Sequence, residues 1–257
     1  MELIVRQHIM EHLMQENLLS DKQYGFINKR STVTQLIHFI DKCCETTSQG
    51  KVVDCIYFDF AKAFDTVPHR RLQKKLECYG IVGPIFNWIK SFLSDRKQLV
   101  NVNGSKSSLD PVVSGIPQGS VLGPLLFVIY INDLPDHVIS SLYLFADDTK
   151  LVKEINSHYD SLIVQSDIDA MSKWSRDWLL KFHPDKCHVL TIGKFDNIKH
   201  AHPYQLNGSQ LEHVSTEKDL GILIDSDLSF EEHISKQVNK ANSMVGLIRR
   251  GFEDPSS

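Results

Sequence analysis

Apolar positions in the first fifty residues recur at three- and four-residue spacing. This predicts one helix over about residues 3–17 and a second over about 32–46, joined by the polar loop SDKQYGFINKRS. The pattern changes at VVDCIYFDF, residues 52–60, where nearly every position is apolar, β-branched or aromatic. Such a run is a strand covered on both faces at the centre of a sheet. Thr66, Val67 and Pro68 then open a helix reaching about residue 79, with proline in the first turn, where its missing N–H leaves no gap, and Gly80 closing it. GPIFNWIKSFLSD is the next helix. RKQLVNVNGSKSSLDPVV reads as two strands turning at Asn103-Gly104, and GIPQG as a turn ahead of an apolar helix over about residues 120–134.

SLYLFADDTKLVKE has two strand-like halves meeting at Asp147-Asp148, a hairpin with two carboxylates at its tip. A helix over about residues 159–179 places Trp174 and Trp178 on one face. Short strands follow at CHVLTIG, PYQL, QLEHV and KDLGILID, with a tight turn at Asn207-Gly208 and a helical tail over residues 230–250. No repeat, low-complexity tract or Pro/Ser linker divides the chain, so the expected class is α+β, with subdomains around one continuous sheet.

Composition narrows this picture. With 257 residues, 42% of them hydrophobic, the chain can bury a full core, which excludes disorder as the main state. The most apolar run, VLGPLLFVIYI, is interrupted by Gly123 and Pro124 and falls short of the roughly 20 residues a membrane helix needs. The first helix carries acids and histidines and no signal-peptide cleavage site. Cys43, Cys44, Cys55, Cys78 and Cys187 form no CxxC pair, which argues against a disulfide scaffold or zinc ribbon and for a reducing, intracellular compartment. The net charge of −4 excludes an all-round basic sleeve, but the charge is unevenly spread. Residues 51–110 sum to +4, centred on HRRLQKK and extending to Arg96 and Lys97, whereas residues 111–170 sum to −6 and include Asp147 and Asp148. The basic run alone reads as a solvated helix face. Beside an acidic centre it is also how a metal-dependent enzyme would meet a polyanion.

Three carboxylates sit in apolar strand context: Asp59 near the end of CIYFDF, and Asp147 and Asp148 after LYLF. An isolated Asp-Asp is an ordinary turn former. If the two segments pair, the three acids converge, and like charges about 4 Å apart repel by roughly 4 kcal/mol at an effective dielectric near 20. Such a cluster is protonated or holds cations. Oxygen-only ligation suits Mg²⁺ or Mn²⁺, and a pair of these ions can activate a 3′-hydroxyl and stabilise a departing pyrophosphate. Phe64 reads either as a core aromatic or as the wall of a sugar pocket, and Gln118 either as a plain loop residue or as an amide held toward a ligand. Asp65 reads as a helix-entry residue ahead of Pro68. The twelve histidines show no ligand spacing, and the two tryptophans read as core or, alternatively, as base-stacking platforms.

FDFAKAFDTVPH, SGIPQGSVLGPLLFVIYINDLP, FADDTKL and EKDLGILID, in this order, resemble the reverse transcriptases of non-LTR (LINE-type) retrotransposons, especially the jockey-like group, over about residues 23–250. The resemblance implies a right-hand polymerase fold. Residues 1–50 would be partial fingers, 51–225 a palm of antiparallel sheet backed by helices with a finger-like insertion around 80–115, and 226–257 the start of a thumb. It implies that Asp59, Asp147 and Asp148 hold two Mg²⁺ ions, with Mn²⁺ as a substitute, and that Phe64 is the steric gate against a ribose 2′-hydroxyl. Gln118 and Gly119 would lie at the nucleotide, Lys186 would be the acid for the leaving pyrophosphate, and KDLGILID would be the primer-grip hairpin. Ile27 stands where many members carry a basic residue, and His183 where asparagine is common. The implied activity is RNA-directed DNA polymerisation, with RNA template, DNA primer and deoxynucleoside triphosphates as partners and no membrane. The chain would be part of a larger polyprotein working in cytoplasm and nucleus. Two alternatives stand beside this: an inactive nucleic-acid-binding remnant of such a polymerase, and another right-hand polymerase such as a maturase or an RNA-dependent RNA polymerase. Two-metal nuclease chemistry is a further reading of the carboxylates alone.

Overall fold

The computed structural model describes residues 1–193 and 202–252. In chain order its elements begin with helices α1 (Glu2–Gln15) and α2 (Thr32–Ser48), strand β1 (Val52–Phe58), and helices α3 (Ala63–Thr66), α4 (His69–Cys78) and α5 (Gly83–Leu93). An exposed hairpin follows, built from β2 (Lys97–Gln98), β3 (Asn101–Val102), β4 (Ser105–Lys106) and β5 (Asp110–Pro111). Next come α6 (Gly123–Ile131), β6 (Ser141–Phe145), β7 (Asp148–Ile155), α7 (His158–Trp178) and β8 (His188–Ile192). The last elements are β9 (Gln205–Leu206), β10 (Ser209–Gln210), β11 (Glu212–Val214), β12 (Thr216–Asp219), β13 (Ile222–Asp225) and α8 (Glu231–Phe252).

Five strands form the main sheet in the order β11-β8-β1-β7-β6, antiparallel except for β11 beside β8. β1 is buried along its whole length and sends alternate side chains into two cores. Ile56 and Phe58 meet the larger core with α1, α4, α5, α6 and α7, while Val53, Cys55 and Tyr57 meet Leu36, Phe39 and Cys43 of α2 and Ile224 of β13. The sheet is thus the middle of three layers. Asp54 faces the larger core and accepts hydrogen bonds from Thr191 Oγ1 (2.7 Å) and Tyr204 Oη (2.6 Å), so this buried acid is structural. The expected boundary near residue 50 falls in the turn between α2 and β1, and α1 and α2 pack on opposite sides of the sheet that this turn enters.

Several expectations are corrected here. The apolar helix is nine residues long rather than about fifteen: Pro124 stands in its first turn, and Leu134–His137 continue as a separate 3₁₀ turn. The basic run is not wholly solvated, because Lys75 is buried, pairs with Asp133 and lies 3.7 Å from the ring centroid of Trp178. Burial pulls its pKa down, opposed by the Asp133 carboxylate. Trp174 is fully buried and donates Nε1–H to Asp133 (3.1 Å), and both tryptophans pack edge-on against Tyr130. The tryptophan pair is therefore core and not a base-stacking platform.

Candidate active site

The acidic turn is built by strand register. β1 and β7 pair antiparallel up to Phe58 opposite Thr149, so Asp59 leaves β1 beside the position where Asp148 enters β7. On the other side of β7, Phe145 pairs with Asp148, which leaves Ala146 and Asp147 as the two turn residues. Only Asp147 therefore stands at the tip, and Asp148 is already a ladder residue. Ala146 has φ +54°, and its amide hydrogen bonds to Gln23 Oε1 at 2.9 Å. The same oxygen accepts from Gly25 N–H at 2.7 Å, while Tyr24 N–H bonds to Leu144 O at 2.7 Å. Gln23 is fully buried, and a Cβ on Gly25 would stand 2.5 Å from the Ala146 nitrogen. The QYGF segment is thus a clamp beneath the turn, and sequence reasoning missed its role. Its signal was an uncharged, glycine-containing tetrapeptide in an otherwise charged loop. Ile27, the next residue, is buried, and Arg30 donates to the carbonyls of Ser20 and Gln23, which folds the loop on itself.

Asp59 is held from the opposite side. Its amide points to Cys187 Sγ (3.5 Å), its carbonyl accepts from His183 N–H (2.8 Å), and Phe60 bridges antiparallel to Phe182. This strap leads into the 3₁₀ turn Pro184–Lys186, which sets Lys186 Nζ 3.2 Å from Asp59 Oδ2, with both side chains substantially exposed. Asp148 is pushed up to about 6, first by burial and then by the carboxylates of Asp147, Asp219 and Asp59, against the pull of Lys150. Asp147 is raised by burial and by Asp59. Asp147 and Asp148 both feel the Asp59 charge, and Asp59, Asp148 and Lys186 border a cavity of about 120 Å³ beneath the β12–β13 hairpin. Among the described residues, no group of three His, Cys, Asp or Glu side chains forms a closed metal-ligand set.

The other candidates lie on the neighbouring segment. Ile116 N–H bonds to Phe64 O (2.7 Å) and Gly115 N–H to Val67 O (2.9 Å), so residues 114–118 run along residues 64–68. Gly115 has φ +89°, and a Cβ there would meet the Asp65 carbonyl oxygen at 2.6 Å, which only glycine avoids. Gln118 donates Nε2–H to Asp65 Oδ1 at 2.9 Å. Asp65 therefore orients Gln118 and does not cap the following helix, whose N-cap is Pro68 with no side-chain bond. Phe64 stacks on Phe127 with centroids 4.5 Å apart and is half-buried. Gln118 lines a cleft of about 630 Å³ with Lys62, Arg96 and Lys97, while Gly119 (φ +77°) is exposed beyond it. Neither Phe64 nor Gly119 borders the Asp59–Asp148 cavity.

Residues 1–224 match the family model described as reverse transcriptase (RNA-dependent DNA polymerase). The RNA-directed DNA polymerase of the mobile element jockey from Drosophila melanogaster is 31% identical over 88% of this chain and 26% of its own length. A probable RNA-directed DNA polymerase from transposon BS of the same organism is 28% identical over 96% of this chain and 28% of its own length. The chain spans about a quarter of the length of these curated relatives. Among solved structures, telomerase from Candida albicans, in complex with a fragment of telomeric RNA, superposes with a TM-score of 0.58 at 13% identity, covering 92% of this chain and 41% of that one. Apo telomerase from Candida tropicalis gives 0.58 at 13% identity, covering 88% and 39%. These likenesses show the fold: an α+β polymerase palm.

Proposed function

The chain belongs to the reverse transcriptase (RNA-dependent DNA polymerase) family, and from that premise we propose that it extends a DNA primer on an RNA template at the Asp59–Asp148 end of its central strands. One observation carries the reading: the register that brings Asp59 beside Asp148, with Asp147 in the adjoining turn. Three acidic side chains there repel one another; the rise of Asp148 to about 6 comes first from partial desolvation at the cavity wall and then from its acidic neighbours, although the residue as a whole stays open to solvent.

Hard divalent cations take carboxylate oxygens, so Asp59, Asp147 and Asp148 fit in kind as ligands for two Mg²⁺ ions, with Mn²⁺ as a substitute. The Lys186–Asp59 pair is open to solvent on both sides, so freeing Asp59 costs little. When bound, such ions supply activation of a primer 3′-hydroxyl and neutralise charge on the departing pyrophosphate. Lys186, once released from Asp59, gives a proton to a pyrophosphate oxygen; its closeness to Asp59 supports that role. Phe64 has one face fixed by Phe127 and offers its edge as the wall against a ribose 2′-hydroxyl. Gln118, its Nε2 held by Asp65, keeps Oε1 available for the incoming nucleotide, and Gly119 lets backbone approach beside it. The names of the relatives support RNA template, DNA primer and deoxynucleoside triphosphates as partners, and their greater length supports further domains of one polyprotein. All five cysteines are free, which supports a reducing compartment, cytoplasm and nucleus.

The test is Mg²⁺-dependent extension of a DNA primer on an RNA template by this chain, beside the Asp147→Ala, Asp148→Ala double variant. The parent extends and the variant does not. A folded parent that binds primer–template yet extends nothing in either metal overturns the reading in favour of a non-catalytic remnant.

A further inference from the structure

Lys150 and Asp219 form an ion pair whose side chains are only 3% and 5% exposed, joining β7 to β12 across the middle of the smaller core. Lys150 stands two residues beyond Asp148 on the same strand, and Asp219 is the last residue of β12, just before the Leu220-Gly221 turn. The β12–β13 hairpin is a separate two-stranded sheet, so no continuous ladder ties it to the main one. Between the two lies the cavity of about 120 Å³ that Asp59 and Asp148 share with Glu217, Lys218, Asp219 and Leu220. A second, partly exposed tie runs from Glu217 to His188 Nδ1 on β8 at 2.7 Å.

A buried ion pair is a poor way to gain stability, because desolvating both charges offsets their attraction, and an apolar pair of similar volume serves as well or better. What it gives is geometry. A lysine ammonium bonds a carboxylate oxygen at one separation and direction, whereas methyl groups tolerate sliding. The surroundings make the choice conspicuous. The Lys150 ammonium is 4.4 Å from the Phe39 ring centroid and 5.8 Å from that of Tyr143, a setting in which two aliphatic side chains would pack. Tyr57 Oη and Gln35 Nε2, which also line the cavity, are buried without a well-formed hydrogen bond among the described residues, so the hairpin is not fixed by a saturated polar network.

We propose that the Lys150–Asp219 pair is a positioning latch: it fixes the β12–β13 hairpin at one height and register over the strand that carries Asp148. The inference rests on the polymerase reading for its consequence, since a hairpin beside those carboxylates borders the path of the primer terminus. The latch holds the hairpin and does not touch primer, nucleotide or the reacting atoms. Lys150 and Asp219 are therefore positioning residues, and displacement of the hairpin acts on primer–template binding before nucleotide binding.

The experiment compares Lys150→Met, Asp219→Leu and the double variant with the parent chain. Each single variant leaves a buried charge without its partner and lowers the melting temperature, and the double variant recovers it. In the double variant the KM for primer–template stays raised by about tenfold or more with the KM for nucleotide unchanged, and amide exchange across residues 216–225 is about tenfold faster than in the parent at equal melting temperature. A double variant that recovers parental primer affinity and parental exchange together with its stability shows the pair to be packing alone and overturns the latch. Exchange needs no catalysis: a parent that fails to extend primers defeats the polymerase reading, while the exchange comparison still decides whether the latch exists.

Discussion

Replacing Gln23 with methionine keeps the length and volume of the side chain and removes its acceptor oxygen. In the native protein that oxygen takes two hydrogen bonds, from Gly25 N–H at 2.7 Å and Ala146 N–H at 2.9 Å, with all three residues buried. A buried donor left unpaired costs about 1–3 kcal/mol, so two cost roughly 2–6 kcal/mol. Part is returned, because Gln23 Nε2 itself has no partner among the described residues and its removal relieves about 1–3 kcal/mol. The expected net loss is about 1–3 kcal/mol. With a urea m-value of about 3 kcal/mol per M for a chain of this size, the unfolding midpoint falls by about 0.3–1 M. Function falls further than stability, because the freed Ala146 amide belongs to the turn that carries Asp147. At 1 M denaturant below the new midpoint the protein is folded, yet primer extension is reduced. Gln23→Glu keeps both accepted bonds, and in acid, where its buried carboxyl is neutral, its midpoint lies above that of Gln23→Met. A midpoint shift under about 0.2 M for Gln23→Met would refute the assignment of Gln23 as the clamp under the acidic turn.

Other outcomes follow from the same geometry. Asp148 has its pKa raised from the ordinary carboxylate value to about 6, so the folded, metal-free protein holds that proton more tightly than the unfolded chain. Its contribution to stability is present below about pH 4 and lost as pH rises through about 6. Asp148→Asn removes this decline in a pH series of urea melts, softened by the solvent that reaches its outer side. Phe64→Ala relaxes discrimination between deoxyribonucleotides and ribonucleotides and, because the ring is only half-buried against Phe127, costs about 2 kcal/mol, below the 3–5 of a fully buried phenylalanine; unchanged sugar selectivity at that stability cost would leave Phe64 a packing residue only. Gly115→Ala drives a Cβ onto the Asp65 carbonyl in a left-handed backbone, so it destabilises by about 1–3 kcal/mol and raises the KM for nucleotide through Gln118; a stability and a KM both at the parental value would show the contact to be slack.

Local pattern carried much of this molecule. The unbroken apolar run of residues 52–60 marks the buried central strand and the strand-like halves around FADD mark the hairpin, but that the two pair, and so bring Asp59 beside Asp148, follows from the resemblance and the observed register and not from local pattern. Where pattern failed, the deciding contacts were long-range. Nothing within HRRLQKK says that Lys75 turns inward, because the carboxylate and the tryptophans that receive it lie about sixty to a hundred residues away, in Asp133, Trp174 and Trp178. Lys150 and Asp219 each sit in a strand as an ordinary polar position, and only the folding of β12 over β7 makes them a buried pair. Gln23 looked like a loop residue because its partners are backbone amides, which leave no imprint on composition. Asp65 was misread for a related reason: a carboxylate just before a proline-led helix has the local signature of an end cap, and its actual partner, Gln118, lies fifty-three residues on.

The segment under the acidic turn also settles how this sheet meets other chains. β6 is the last strand on its side, and an outermost strand with free backbone groups invites another molecule to add on. Here Leu144 N–H is already given to Lys22 O (2.9 Å) and Leu144 O already accepts from Tyr24 N–H (2.7 Å), with Gln23 bridged alongside in parallel. A three-residue stopper thus covers this border at Leu144, beside the acidic turn, and strand addition is blocked there.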